Sequence, residues 1–225
     1  MVLRLYAIPI THPAFEPLKE ALLQKWNSSL AHLQNNEVFI SYAWGGESEN
    51  IADELDQAFQ YQGVSIIRDK RDLGYKDSLD EFMNRIGQGK AIIIIVSEKY
   101  LKSENCLFEL LLIAKNGQFK DRVFPITLKD AGIYDVLGRI KYVHYWEQRL
   151  NELDEAIKEI ESKPDWQISD ADKAFIKDAK KYDDFRKSLP QLTDILKDMN
   201  ALTPELHRET GFSEIINAVM TKLEE

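Results

Sequence analysis

The stretch Ala91-Ile-Ile-Ile-Ile-Val96, which continues into Ser97-Glu-Lys-Tyr-Leu101, decides the fold class of this chain. Six apolar residues in a row, with no polar alternation, are typical of a strand that is buried on both faces. Such strands belong mainly to parallel sheets, because helices cover both faces of those sheets. The stretch therefore predicts an α/β domain built around a parallel sheet.

Similar short apolar runs occur on both sides of this strand, and amphipathic segments separate them. The other predicted strands are 38–40, 64–67, 123–126 and 142–145. The predicted helices are 51–62, 78–88 and 106–116, and each has a glycine at or just beyond its end. Strands that alternate with helices through short connections predict a five-stranded parallel sheet with right-handed crossovers.

Helical extensions flank the predicted sheet domain. Residues 1–34 carry one apolar helix face, which either packs on the sheet domain or acts as an assembly or linker helix. Residues 163–187 are rich in charge and predict an exposed helical insertion or a mobile segment. We expect the last helix, 212–223, to pack on the sheet domain. The predicted units are thus 1–34, 35–162 and 163–225.

Composition and charge argue against several classes of protein. The 225 residues carry a formal net charge of -9, which disfavours nucleic acid or an anionic membrane as a partner. No apolar run approaches the roughly 18 residues that a membrane span needs, and the first residues do not resemble a signal peptide. The single cysteine cannot form an internal disulfide, so we expect a cytoplasmic location. The histidines show no metal-ligand spacing, and the chain has no P-loop and no G-x-S-x-G motif.

Polar and aromatic residues follow three predicted strands at the point where each strand ends. Ligands of open parallel sheets bind beyond the carboxyl ends of the strands, so these residues predict a cleft for a nucleotide-like ligand. They are Ser41, Tyr42, Ala43 and Trp44 after the first strand, Asp69, Lys70 and Leu73 after the second, and Ser97, Lys99, Tyr100, Cys106 and Glu109 after the third.

Glu109 is the most informative of these residues because its sequence neighbours are apolar. A carboxylate in such surroundings is costly unless it has a partner or a function. The alternative is that Glu109 occupies the first turn of its helix, where the macrodipole favours a negative charge. Cys106 shares a helix face with Glu109, and core packing explains it better than a nucleophilic role, since no histidine is near it in sequence.

These segments resemble the TIR (Toll/interleukin-1 receptor) domain family, particularly its bacterial branch. The matching segments are VFISYAW (38–44), GVSIIRDKRDL (63–73), AIIIIVSEKYL (91–101), SENCLFEL (103–110) and RVFPITL (122–128). The resemblance implies a flavodoxin-like TIR fold, here with extra N- and C-terminal helices. Asn105 stands where the family often has a tryptophan before the cysteine.

The resemblance also implies two classes of function. Some members cleave NAD+ to nicotinamide and ADP-ribose or a cyclic form, often in bacterial antiviral defence, and their catalytic glutamate falls on Glu109. For such an enzyme NAD+ is the substrate, and we expect no further cofactor and no metal. The implied substrate-binding residues are Ser41, Tyr42, Ala43, Trp44, Asp69, Lys70, Leu73 and Cys106.

Association between TIR domains is the second implied property. The BB loop, residues 69–78, is expected to take part in self-association, and a separate or fused sensor protein is a further expected partner. The alternative function is a non-catalytic scaffold that recruits other TIR proteins. A third interpretation is a nucleotide sensor that performs no chemistry.

Overall fold

A four-stranded parallel sheet is the centre of the computed structural model, which describes residues 37–68, 78–164, 167–199 and 201–225. The strands are β1 (Val38–Tyr42), β2 (Ile66–Arg68), β3 (Ala91–Val96) and β4 (Val123–Thr127), in the order β2-β1-β3-β4. Every residue of β3 is buried, as the unbroken apolar run predicted. The predicted α/β fold with a parallel sheet is therefore confirmed.

Helices cover both faces of this sheet. They are α1 (Gly46–Tyr61), α2 (Leu79–Gln88), α3 (Glu98–Leu101), α4 (Glu104–Lys115), α5 (Phe119–Arg122), α6 (Val136–Glu161), α7 (Asp170–Asp198), α8 (Pro204–Glu209) and α9 (Ser213–Glu224). Apolar residues of α2, α4, α6 and α7 form one core with the sheet, and those of α1 and α9 form a second core on the opposite face. We call these the α4-side core and the α1-side core.

The alternation of side chains along β1 decides which residues belong to which core. Phe39 and Ala43 lie in the α4-side core, whereas Val38, Ile40 and Tyr42 lie in the α1-side core. Successive side chains of a strand point to opposite faces, so Ser41 shares the α4 side with Phe39 and Ala43. This alternation separates neighbouring residues of the predicted site.

The predicted fifth strand, 142–145, is wrong, because these residues lie within helix α6. The Asp135 side chain caps the start of that helix by accepting a hydrogen bond from the Gly138 amide at 3.0 Å. Tyr142 and Trp146, one helical turn apart, are both buried in the α4-side core. The described part of the chain thus holds four strands.

Apolar side chains from the residues beyond 162 contribute to both cores. Most of the charge-rich segment 163–187 belongs to helix α7, whose Phe185 and Leu192 lie in the α4-side core beside Trp146. Helix α9 contributes Val219 to the α1-side core, and Lys90, just before β3, donates a hydrogen bond to the Leu223 carbonyl at 2.9 Å.

Candidate active site

Glu109 is a buried carboxylate in the second turn of helix α4. The helix begins at Glu104, and the hydroxyl of Ser103 caps it by accepting a hydrogen bond from the Cys106 amide at 3.4 Å. Glu109 is the sixth residue of the helix, about 7.5 Å along the axis from the first. The macrodipole acts mainly on the first turn, so the alternative interpretation of Glu109 as a first-turn carboxylate is wrong.

The Glu109 side chain is only 5% exposed, and it receives a hydrogen bond from the end of β1. Ser41 donates its hydroxyl proton to Oε2 of Glu109 at an Oγ–Oε2 distance of 2.5 Å. The Ser41 Oγ also lies 3.0 Å from the hydroxyl of Tyr100, which belongs to α3. Side chains from β1, α3 and α4 thus come together at the carboxyl edge of the sheet, next to the carboxylate of Glu109.

Tyr100 is a protonated hydroxyl at neutral pH. It is completely buried, and burial, with the nearby Cys106 and Glu109, raises the pKa of its hydroxyl well above the ordinary value. The hydrogen bond with Ser41 acts in the opposite direction but does not outweigh burial. Tyr100 therefore enters the site as a neutral hydrogen-bond partner.

Ala43 and Cys106 lie on the same side of the sheet as Glu109. Both are buried in the α4-side core, and Cys106 is the residue three positions before Glu109 on α4. The cysteine is packed among apolar side chains, in agreement with the packing role that the sequence favoured. The Glu109 carboxylate is thus held by the Ser41 hydroxyl, and apolar side chains lie on the same side of the sheet.

The comparison with protein families agrees with this architecture. The family model described as TIR domain matches residues 38–160, which is more than half of the chain. The chain belongs to the TIR domain family. No curated protein matches it.

One similar solved structure is that of the TIR domains in the activated Roq1 resistosome that directly recognizes the pathogen effector XopQ. It shares 18% sequence identity with this chain at a TM-score of 0.48, and the match covers 84% of this chain and 97% of that one.

Tyr42 of the TIR domain is not brought to Glu109, although the sequence predicted both in one pocket. Strand alternation directs its ring into the α1-side core. Its hydroxyl accepts a hydrogen bond from Nη2 of Arg68 at 2.8 Å, and the guanidinium lies over the ring at 5.3 Å from the centroid. Arg68 also bonds Asp53 at 2.6 Å, so Tyr42 ties the end of β1 to β2 and α1.

Trp44 lies in the loop between β1 and α1 and is 50% exposed. Its carbonyl accepts a hydrogen bond from Nζ of Lys99 at 2.6 Å, which joins this loop to α3. Gly45 and Gly46 follow with φ values of 86° and 65°, a conformation that glycine adopts without strain. The glycines allow the sharp turn that leaves the indole accessible at the carboxyl edge of the sheet.

The remaining predicted site residues, Asp69, Lys70 and Leu73, lie outside the described residues. The sequence placed Tyr100 and Lys99 at the correct edge but assigned them no contact. The bond between Tyr100 and Ser41 joins residues 59 positions apart, so only the fold reveals it.

Neither a membrane helix nor a metal cluster is found in the described ranges. None of their helices is long and apolar enough to cross a bilayer. The same ranges contain no group of three or more His, Cys, Asp or Glu side chains that could hold a metal ion.

Proposed function

We propose that this TIR domain cleaves NAD+ to nicotinamide and ADP-ribose or a cyclic form, with Glu109 as the catalytic residue. The observation that carries the proposal is the placement of Glu109. Its carboxylate is withdrawn from water, lies at the carboxyl edge of a parallel sheet and is fixed by Ser41. Ligand sites of open α/β sheets form at this edge.

A single carboxylate suffices for this reaction. Glycosidases usually need a second carboxyl group because the leaving oxygen must be protonated. The nicotinamide of NAD+ is a cation while bound and leaves as a neutral base, so no general acid is required. What remains is an oxocarbenium-like ribosyl centre, and a fixed carboxylate in a site of low polarity stabilises that positive charge.

The neighbouring residues fit subsidiary roles in the proposed site. The exposed indole of Trp44 offers an aromatic face for stacking a nicotinamide or adenine ring. Ser41 holds the carboxylate, and Ala43 and Cys106 form the apolar wall on the same side of the sheet. Substrate contacts through Asp69, Lys70 and Leu73 remain predictions from the family resemblance, whereas Tyr42 faces the other core.

The proposal includes a setting for the activity. We propose an effector of bacterial antiviral defence or signalling, located in the cytoplasm and active after self-assembly. Membership of the TIR domain family supports this setting, and the loop 69–78 is the proposed contact between subunits. A separate or fused sensor protein would supply the activating signal.

The decisive experiment follows nicotinamide release from NAD+ by the purified protein, alone and with a crowding agent. Glu109→Gln should lower turnover by roughly 100- to 1,000-fold, the usual loss when a fixed electrostatic contact to the transition state is removed. Glu104→Gln is the matched control because Glu104 lies on the same helix but is half-exposed. It should leave turnover unchanged.

Two outcomes would contradict the proposal. Equal turnover by the wild type and Glu109→Gln would remove Glu109 from the mechanism. No turnover at high protein concentration, with or without crowding agent, would favour the non-catalytic scaffold. Specific activity that rises with protein concentration would support activation by self-assembly.

A further inference from the structure

A buried series of three oxygen-bearing side chains, and not an isolated carboxylate, forms the proposed catalytic centre. Tyr100, Ser41 and Glu109 are 0%, 2% and 5% exposed, respectively. The Tyr100 hydroxyl lies 3.0 Å from the Ser41 Oγ, which lies 2.5 Å from Oε2 of Glu109. We call this series the hydroxyl relay.

The two hydrogen bonds of the relay run in the same direction, from Tyr100 through Ser41 to Glu109. Ser41 has a single hydroxyl proton, and a carboxylate can only accept, so that proton lies between Ser41 and Glu109. Tyr100 must then donate its own proton to Ser41. The high pKa of the buried Tyr100 hydroxyl agrees with this assignment, since the group stays protonated.

We propose that Tyr100 is a positioning residue for Glu109 and acts through Ser41. This inference rests on the proposed function of Glu109 as the catalytic carboxylate. The Tyr100 hydroxyl saturates one lone pair of Ser41 and so fixes the rotation of the serine hydroxyl toward Oε2. Each side chain comes from a different element (α3, β1 and α4), so the relay also fixes the carboxylate relative to the carboxyl edge of the sheet.

Positioning of this kind has a large effect on rate. A reacting group that is misplaced by about 1 Å can lose roughly 100-fold in rate. The last torsion of a glutamate side chain is broad, and the hydrogen bond from Ser41 restricts it at Glu109. Tyr100→Phe keeps the ring and its packing but removes the hydroxyl, so it tests the relay with little change of volume.

The kinetic test compares four variants under conditions in which the wild type is active. Tyr100→Phe should lower kcat by roughly tenfold, about the weight of one neutral hydrogen bond, with KM nearly unchanged. Ser41→Ala should lower kcat further, and the double variant should match Ser41→Ala because both changes interrupt one series. Tyr142→Phe is the matched control, since it removes a buried hydroxyl that donates to the Ala131 carbonyl at 2.6 Å.

A spectroscopic test does not depend on turnover. The carboxyl carbon of Glu109 is followed through a pH titration by NMR of protein with 13C-labelled glutamate, and Glu109→Gln identifies the signal. Loss of a hydrogen bond to a carboxylate favours its neutral form, so the midpoint should move to higher pH in Ser41→Ala. It should move less in Tyr100→Phe and stay in place in Tyr142→Phe.

The two tests separate failure of the relay from failure of the proposed function. A wild type without turnover overturns the enzyme, while a shifted Glu109 titration in Ser41→Ala and Tyr100→Phe still supports the relay. An unshifted titration in both variants overturns the relay. Independent, multiplicative losses of kcat in the double variant also overturn it.

Discussion

At the scale of single residues, Glu109 combines an unfavourable location with a proposed role. Taking a carboxylate out of water costs free energy, and hydrogen bonds such as the one from Ser41 recover only part of it. A residue retained for function therefore need not contribute to folding stability. Stability and activity should respond in different ways when the charge of Glu109 is removed.

We predict that Glu109→Gln folds with unchanged stability, or with stability raised by about 1 kcal/mol. The glutamine carbonyl oxygen can still accept the hydrogen bond from Ser41, while the buried charge is gone. Urea denaturation of the wild type and the variant at pH 7 measures the difference. A loss above about 2 kcal/mol would show that the carboxylate serves the structure.

His207 is another buried titratable residue. It is 4% exposed and stacks on Phe212, with ring centroids 6.0 Å apart. Neither ring nitrogen has a hydrogen-bond partner among the residues that the structure describes. Burial lowers the pKa of His207, and the charge of Glu214 opposes that shift only in part.

The lowered pKa of His207 predicts a loss of stability in mild acid. The unfolded chain binds the proton more readily than the folded one, so the free energy of unfolding has its full value above the ordinary pKa of about 6.5. It falls as the pH drops below that value toward the folded pKa, by at most about 1.4 kcal/mol per pH unit. The substitution His207→Leu should remove this pH-dependent loss of stability.

Urea denaturation between pH 7.5 and 5.5 checks the prediction for His207. The free energy of unfolding of His207→Leu should decline less steeply with falling pH than that of the wild type. His144→Gln, at an exposed position of α6, is the control and should run parallel to the wild type. A constant difference between wild type and His207→Leu over this range would show that His207 does not titrate differently on folding.

At the scale of elements, Arg122 joins the ends of two helices. Its buried guanidinium donates to the carbonyls of Gly87 and Gly89 at 3.0 and 2.7 Å, where α2 ends. It also donates to the carbonyls of Ile113 and Gly117 at 2.8 and 3.1 Å, where α4 ends. The negative ends of both helix dipoles thus meet one cation, although burial lowers the pKa of Arg122.

We predict that Arg122→Lys destabilises the fold by about 2–4 kcal/mol. A lysine ammonium lacks the planar fork that reaches four carbonyls, and buried carbonyls left without a donor each cost about 1–3 kcal/mol. Arg85→Lys is the control, because the Arg85 side chain is half-exposed and its ion pair with Glu37 contributes little. Equal unfolding free energies for the two variants would contradict the role of Arg122.

The sequence predicted those elements whose pattern is local. The run 91–96, with four isoleucines in succession and no polar alternation, indicated a buried strand, and its alternation with amphipathic helices indicated the parallel sheet. Residues 142–145 were mistaken for a strand because four residues do not distinguish a helix from a strand by period. Their helical state depends on the Asp135 cap and on packing against α7, whose Phe185 is about 40 residues further along the chain.

The candidate site was predictable to a similar extent. The motif at the start of α4 identified Glu109, and the topology rule placed it at the carboxyl edge of the sheet. Strict alternation along β1 separates Tyr42 from Ser41, but the predicted pocket grouped both residues. The relay from Tyr100 and the role of Arg122 arise from contacts between distant segments, which no local pattern encodes.

At the scale of the whole molecule, residues 37–225 form one compact unit, although the family match ends at residue 160. The C-terminal helices complete both cores, with Phe185, Leu189, Leu192 and Leu196 of α7 on the α4 side and Ile215, Ile216, Val219 and Leu223 of α9 on the α1 side. Burial of each such side chain contributes about 1.5–3 kcal/mol. Together these eight side chains contribute about 12–24 kcal/mol, which is as large as or larger than the typical net stability of about 5–15 kcal/mol.

We therefore predict that truncation after Ser162 abolishes cooperative folding, even though it retains Glu109 and all four strands of the described residues. Both faces of the sheet would expose apolar surface that α7 and α9 now cover, so the shortened chain should aggregate or melt without a sharp transition. Circular dichroism during heating, compared with the full chain, measures this. Within the full chain, Leu192→Ala should cost about 2–4 kcal/mol, whereas Leu206→Ala, at an exposed position, should cost under about 0.5 kcal/mol. A sharp, reversible transition of the truncated chain would instead make the C-terminal helices a separable layer and leave residues up to 162 as a self-sufficient domain.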